Sequence, residues 1–345
     1  MKKIVLAASV LLFVPACPLL AGTGKSSFMD SKNKVESVLQ EKVDEADAQN
    51  EKKAWREFKQ ALADGRYNIA KDLLKEKAVS ENINKRILGM PPLVYVISEE
   101  FDLSKPQEKG ESLTPEQKVK QNEQITALAL AIIALPQTDL NKTDRHYRTA
   151  LHWGVNKKDR KIVKALLAAK RQVAIEIDPE EDHGWTPLQL AAENGDVNII
   201  KRLLKAGANI NHANLDGNTA LMIAAANGQE EVVKELLYPT VSGVKGADVN
   251  AADKGGETAL MKAIDAGSFE SVEELLGHPK IDVLKRDNNG QKALTHAQLL
   301  KAKVSLVGVD KRGIIEIVKA ADKKAKNAAK AAKKSAKQAQ KNTGK

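Results

Sequence analysis

Apolar and polar residues follow one another at helical spacing through much of this chain, but only over short segments. The stretch TPLQLAAENG, residues 186–195, is typical. A threonine able to cap a helix precedes a proline suited to the first turn, apolar residues follow, and a glycine can end the helix. A second apolar pattern, VNIIKRLL at 197–204, comes directly afterwards. Two short helices joined by a turn are therefore predicted here.

The same pattern recurs along the chain. It returns as TALMIAAANG (219–228) and TALMKAIDAG (258–267), and in a rougher form as TALHWGVNKKD (149–159). The capping threonines Thr149, Thr186, Thr219 and Thr258 are separated by 37, 33 and 39 residues. Each copy continues into a second apolar helix pattern, and GANIN, GADVN or IDV then ends three of the copies in an extended loop with turn residues. A period near 33 residues with variable loops predicts a repeat protein.

One copy identifies the family that these repeats resemble. GWTPLQLAAENGDVNIIKRLLKAGANIN (184–211) is similar to an ankyrin repeat almost throughout its length, whereas Ala150, Ala220 and Ala259 replace the usual proline in looser copies. The resemblance implies an all-α solenoid of about six helix-turn-helix units with extended loops. It also implies that His152 and His296, taken to occupy the position of the family's histidine, bond neighbouring loops rather than a metal.

The repeat region is expected to span residues 54–320, with atypical outer units because terminal repeats face water. These are segments 58–78, 89–98 with 125–144, and 287–300 with 314–321. A polar insertion over about 101–123 is predicted to be a mobile loop.

The short helices of the 184–211 unit cannot bury their apolar side chains alone. A large aliphatic side chain contributes roughly 1.5 to 3 kcal/mol when fully buried, which does not offset the chain entropy of one helix pair. Neighbouring repeats must supply the cover. The predicted core positions are Leu188, Ala191, Ala192, Ile199, Ile200, Leu203 and Leu204.

The N-terminal sequence predicts export. Residues 1–22 carry two lysines, an apolar run and small residues, as a secretory signal does. Cleavage after Ala21 and a lipoprotein signal that ends before Cys17 both remain open, and the sole cysteine excludes disulfides within the chain. A charged linker or helix over 23–53 follows. We expect a bacterial protein of the periplasm or cell envelope, lipid-anchored if Cys17 is modified, or one that is secreted.

The net charge of +10 is concentrated at the two ends of the chain. Lys2 and Lys3 contribute +2, residues 321–345 contribute +8, and the rest sums to zero. No nucleic-acid binding is therefore expected of the repeats. The tail is expected to be mostly disordered because its like charges repel. Its candidate polyanion-binding residues are Lys323, Lys326, Lys330, Lys333, Lys334, Lys337 and Lys341.

The sequence gives no sign of catalysis. HExxH, GxSxG and CxxC patterns are absent, and GTGKSS at 22–27 lacks the first glycine of a phosphate loop. We expect no enzymatic activity, cofactor or metal. The expected protein is a monomeric scaffold that binds an unidentified protein partner. The alternatives are a secreted effector that binds a host protein, and a surface- or polyanion-binding protein that acts through its tail.

In ankyrin-repeat proteins, partners usually contact the loop tips and the exposed edge of the first helices, which form a concave face. Trp185 is either an interaction hot spot or packed against the adjacent loop, whereas Trp153 is expected in the core. The candidate partner-binding residues are Arg145, His146, Arg148, Asn156, Lys157, His183, Trp185, Glu193, Asn194, Leu215, Asn218, Asn227, Lys254, Glu257 and Asp265.

Overall fold

The structure is a computed structural model that describes Gln40 and residues 48–98, 114–169, 174–300 and 311–343. The chain divides into two units, residues 1–56 and 57–345. In the first unit the described residues are Gln40 and 48–56, all of them helical. The predicted signal over 1–22, Cys17 and the phosphate-loop-like GTGKSS lie outside the described residues.

The described helices of the second unit form seven pairs, against about six units predicted. A short helix, Lys77–Glu81, lies between pairs 1 and 2. In chain order the pairs are 57–63 with Tyr67–Leu73, Pro92–Ser98 with Pro115–Ile133, Ala150–Asn156 with Arg160–Ala169, Pro187–Asn194 with Val197–Ala206, Ala220–Ala226 with Glu230–Leu237, Ala259–Ala266 with Phe269–Gly277, and Ala293–Leu299 with Lys311–Thr343.

The helices form two rows, because the first helix of each of pairs 2 to 6 packs on the first helix of the next pair, and second helices pack on second helices. We call these the inner and outer rows. In pair 4 all seven predicted core residues are buried, with Leu188 1% exposed and Ile200 fully covered. Isolated bridges are the only strand-like pairing among the described residues. The all-α repeat fold is therefore confirmed.

Threonine begins four of the inner helices, as predicted. In pair 4 the Thr186 hydroxyl accepts the Gln189 N–H, and the Gln189 side chain accepts the Thr186 N–H. Thr149 and His152 form the same reciprocal cap in pair 3. Gly195 ends the inner helix of pair 4 at φ 73°, in the left-handed region that favours glycine. A cap of this kind contributes about 1 kcal/mol.

The loops that precede the inner helices stack tip on tip. Tips 3 to 7 are residues 144–149, 181–186, 214–219, 253–258 and 287–292. The second residue of each tip donates its N–H to the carbonyl of the third residue of the preceding tip, from Asp182 to His146 at 3.2 Å through Asn288 to Gly255 at 2.9 Å. This ladder fixes the position of each tip relative to the next.

A second ladder joins the loops that follow the outer helices. Asn141 accepts the Glu176 N–H at 3.0 Å and donates to the Ala174 carbonyl at 2.7 Å. Asn250 makes the same two bonds, to the Asp282 N–H and the Lys280 carbonyl. The sequence pattern places these asparagines in turns, and the structure shows that their side chains also join adjacent repeats.

Two segments differ from the prediction. The outer helix of pair 2 begins at Pro115, inside the predicted 101–123 loop, because Thr114 and Gln117 form a capping box ahead of a proline at the first turn. Residues 101–113 lie outside the described residues. The tail, expected to be disordered, is helical from Lys311 to Thr343. Buried Ile314, Ile315 and Val318 anchor the start of this helix, and alanine and lysine favour its continuation.

Candidate interaction surface

Tip 3 is built around the buried carboxylate of Asp144. One oxygen accepts the backbone N–H groups of His146 (2.8 Å) and Arg148 (3.0 Å). The other accepts the Trp153 indole N–H and the Arg148 guanidinium, both at 3.0 Å. Burial alone would raise the pKa of Asp144, but these donors outweigh it and the pKa lies below its usual range. The tip is thereby fixed to the inner helix beneath it.

Arg148 and Trp153 form one wall of the surface. The guanidinium carbon lies 4.1 Å from the centroid of the Trp153 ring, a cation–π contact. Trp153 is buried at 6% exposure, which confirms the core prediction. Asp144 and Trp153 therefore hold the Arg148 side chain in one defined orientation.

His152 links tip 3 to tip 4. One ring nitrogen accepts the Thr149 N–H at 3.1 Å, so the other carries the hydrogen and donates to the Trp185 carbonyl at 3.1 Å. Burial lowers the pKa of His152 to about 4, so the ring is neutral around neutral pH. The predicted loop-bridging role is confirmed for this histidine.

A cavity of about 210 Å³ lies between tips 3 and 4 and the inner helices of pairs 3 and 4. The structure brings four predicted partner-binding residues together there and adds four that the sequence did not single out as binding residues. The predicted residues are Arg148, Asn156, Trp185 and Glu193, and the added residues are His152, Trp153, Glu181 and Leu190. Trp185 is half-buried, and its role as an interaction hot spot stays a prediction.

The remaining candidates lie along the same row of tips and inner helices, and none of them is buried. Several side chains are engaged locally: the His146 ring contacts Asp182 at 2.7 Å, and Asn194 donates to the Val155 carbonyl at 3.2 Å. The tip residues of this group are Arg145, His146, His183, Leu215, Asn218, Lys254 and Glu257. The inner-helix residues are Lys157, Asn194, Asn227 and Asp265. Their role in binding stays a prediction.

Comparison with known families agrees with this architecture. A family described as ankyrin repeats (three copies) matches residues 58–214 and 151–253, which together cover more than half of the chain. The chain belongs to the ankyrin-repeat family. A comparison with curated proteins finds no match. Ankyrin repeats are protein–protein interaction modules and are typically non-enzymatic, so the tip row is the candidate interaction surface.

One exposed residue of the ankyrin tips escaped the sequence analysis. Tyr147 is 63% exposed and has φ 58°. The equivalent positions in tips 4 to 7 are Gly184, Gly217, Gly256 and Gly290, all at positive φ. Tyrosine in this conformation is strained, and such strain is common at functional positions. Alignment of DRHY with EDHG, NLDG, DKGG and DNNG would have identified it.

His296 does not occupy the expected ankyrin position. Thr295 stands directly after Leu294, so His296 lies one residue further along and about 100° around the helix. Its ring contacts Asp265 at 2.7 Å and Asp287 at 3.3 Å instead of a backbone carbonyl. Hydrogen bonding to Asp265 raises the pKa of His296. The expectation that His296 bonds a neighbouring loop as His152 does is wrong, because its ring contacts Asp265 of the preceding inner helix and Asp287 of its own tip.

Among the described residues, none of the helices is both long enough and apolar enough to cross a membrane.

Proposed function

We propose that this ankyrin-repeat protein is a non-enzymatic scaffold that binds a protein partner at the cavity between tips 3 and 4. This proposal rests on the lining of the cavity, where a half-buried tryptophan lies beside charged side chains. Tryptophan and arginine in partly enclosed positions are the residue types enriched at interaction hot spots. Bonds from Asp144 and His152 hold the walls in place, which lowers the entropy cost of binding.

The test is affinity capture from cell-envelope and secreted fractions with three baits. These are the wild type, Trp185→Ala and the control Arg202→Ala, which alters an exposed residue of the outer helix of pair 4. We expect a partner that the wild type and the control retain and that Trp185→Ala loses, with unchanged circular dichroism. Equal capture by all three would place the binding site elsewhere. Arg148→Glu is unsuitable, because it would put a carboxylate beside buried Asp144.

We also propose that the protein is exported, on the evidence of its N-terminal sequence. The apolar run between Lys3 and the small residues that precede Gly22 supports a secretory signal. A periplasmic, lipid-anchored or secreted product would each have a different mature N-terminus or location. Intact mass of the protein from each fraction distinguishes cleavage after Ala21 from lipidation at Cys17. An unprocessed N-terminus in every fraction would contradict export.

A second function, binding to an anionic surface, is favoured by the helix Lys311–Thr343. Lysines at 319, 323, 326, 330, 333, 334, 337 and 341 fall within about 100° of its circumference. Those with described side chains, Lys319 to Lys334, are exposed, whereas Ile314 and Val318 on the opposite side are buried. Eight aligned cations would create a positive stripe that attracts anionic lipid headgroups or polysaccharide.

Sedimentation with anionic phospholipid vesicles over a salt series tests the second function. We expect the full chain to bind at low salt and to lose binding as screening increases, while a chain that ends at Asp322 does not bind. Neutral vesicles are the control surface. Equal binding of both chains to anionic vesicles would contradict a role for the lysine stripe.

A further inference from the structure

A cluster of potential metal-binding side chains joins pairs 6 and 7 on the same row of tips and inner helices. Glu257 lies in tip 6, Asp265 near the end of the inner helix of pair 6, and His296 in the inner helix of pair 7. One ligand atom from each lies within 4.8 Å of the others. His296 is buried, and the two carboxylates are half-buried. The cluster is separate from the cavity between tips 3 and 4.

The imidazole of His296 has a carboxylate on each side. Its Nδ1 lies 2.7 Å from Asp265 and its Nε2 lies 3.3 Å from Asp287. The imidazole donates to both carboxylates only when it is protonated, because its neutral form has one N–H. A metal ion bound to Nδ1 would take the place of that proton and leave Nε2–H to donate to Asp287. A histidine that binds a metal commonly donates its other N–H to a carboxylate in this way.

The charges around the cluster also favour a cation. Lys262 contacts Asp253 at 2.7 Å and Glu257 at 3.2 Å. The carboxylates of Asp265 and Asp287 lie on the two sides of the imidazole. The side chain of Asp287 is only 2% exposed, so solvent screens its charge poorly. A divalent ion would place positive charge beside these carboxylates.

We propose that Glu257, Asp265 and His296 bind a divalent transition-metal ion of the zinc class and thereby cross-link pairs 6 and 7. Imidazole with carboxylates suits Zn²⁺, whereas Mg²⁺ and Ca²⁺ prefer oxygen ligands alone. Donor atoms in a tetrahedral zinc site are about 3.4 Å apart, so the Asp265 oxygen must move slightly away from Nδ1 while the wider separations in the cluster shorten. The half-buried side chains of Glu257 and Asp265 can make this movement, with Lys262 remaining on Asp253.

Pair 7 needs such a link more than pairs 3 to 6 do. Thr149, Thr186, Thr219 and Thr258 cap the inner helices of pairs 3 to 6, whereas Lys292 at the start of the last inner helix makes no side-chain cap. A metal held by both pairs would compensate for this missing cap. Zinc would then stabilise the end of the stack and hold the adjoining helix Lys311–Thr343 against it.

Calorimetric titration of the full chain with Zn²⁺ at about pH 8 tests the proposal, because protons compete less with the metal at this pH than under acidic conditions. We expect one saturable site that raises the thermal unfolding midpoint and that His296→Gln and Asp265→Asn both remove. Asp265→Asn alters a half-buried residue, so the test does not depend on whether His296→Gln folds. The matched control His183→Gln, in exposed tip 4, keeps the site.

Asp287→Asn supplies a second measurement, since loss of the carboxylate behind the imidazole should weaken Zn²⁺ binding roughly tenfold or more without abolishing it. The proposal is overturned if the wild type shows no saturable Zn²⁺ site, or if His296→Gln and Asp265→Asn bind Zn²⁺ as the wild type does. Equal stabilisation by Mg²⁺ would also contradict a site of this chemistry.

Discussion

At the residue scale, the third position after the capping threonines Thr149 and Thr186 shows how two different side chains make equivalent bonds. His152 accepts the Thr149 N–H and donates to the Trp185 carbonyl of the next tip. Gln189 accepts the Thr186 N–H and donates to two carbonyls, that of Asn218 in the next tip and that of His212 just before it. Glutamine therefore reproduces the geometry of the histidine but has no titratable group.

His152→Gln should remove a component of the pH dependence of stability. Burial lowers the pKa of His152 from 6.5 to about 4, so the unfolded chain takes up a proton first as the pH falls. The free energy of unfolding therefore falls as the pH drops from 6.5 to about 4, and the loss is roughly 3 kcal/mol at about pH 4. Above pH 6.5 the histidine has little effect on it. Urea unfolding of both proteins across this range measures the difference. Parallel curves would show that His152 does not titrate as its burial requires.

At the element scale, stability comes from packing between helices that are too short to be stable alone. The inner helix of pair 4 has eight residues and its outer helix ten. Isolated helices of this length are marginal in water. Leu203 is fully buried in the outer row, whereas Arg202 beside it is exposed.

Leu203→Ala should lower the free energy of unfolding by about 2 to 5 kcal/mol, because it leaves a cavity between outer helices. Arg202→Ala is the matched control, with an expected change of less than about 0.5 kcal/mol. Denaturant unfolding measures both. Similar midpoints for the two variants would contradict the assignment of buried and exposed faces.

The sequence predicted elements well where hydrophobic period, cap and glycine agree. Residues 184–211 satisfy all three, and their helices and core lie where the pattern places them. It missed the start at Pro115 because that helix extends beyond the core and has polar residues there. It missed the tail helix because repulsion between the lysines of the tail favours disorder, whereas buried Ile314 anchors the start of the helix.

The candidate site was less predictable than the fold. Family resemblance identified Arg148, Asn156, Trp185 and Glu193, but the cavity also depends on inter-repeat contacts that a linear pattern does not show. Tyr147 was missed because its backbone conformation, rather than its residue type, sets it apart. The contacts of His296 depend on a one-residue shift that changes the direction of its side chain.

At the scale of the whole repeat unit, two ladders turn similar pairs into one continuous surface. Backbone bonds join the tips from His146 to Asn288, and asparagine side chains join the loops at the other end of the pairs. Pairs 3 to 6 are thus joined to a neighbour at both ends. We therefore expect a partner to bind at these tips, and the surface can accept it without reorganising.

Tyr147→Gly tests that claim most directly, because it separates binding from stability. Glycine adopts the backbone conformation of Tyr147 without strain, so the free energy of unfolding should rise by up to about 1 kcal/mol. Affinity for the captured partner should fall roughly tenfold or more, since an exposed aromatic side chain is lost. The control Leu88→Gly relieves a positive φ (50°) in the loop before pair 2, outside the cavity between tips 3 and 4, and should leave affinity unchanged. An unchanged affinity in a stable Tyr147→Gly protein would contradict binding at these tips.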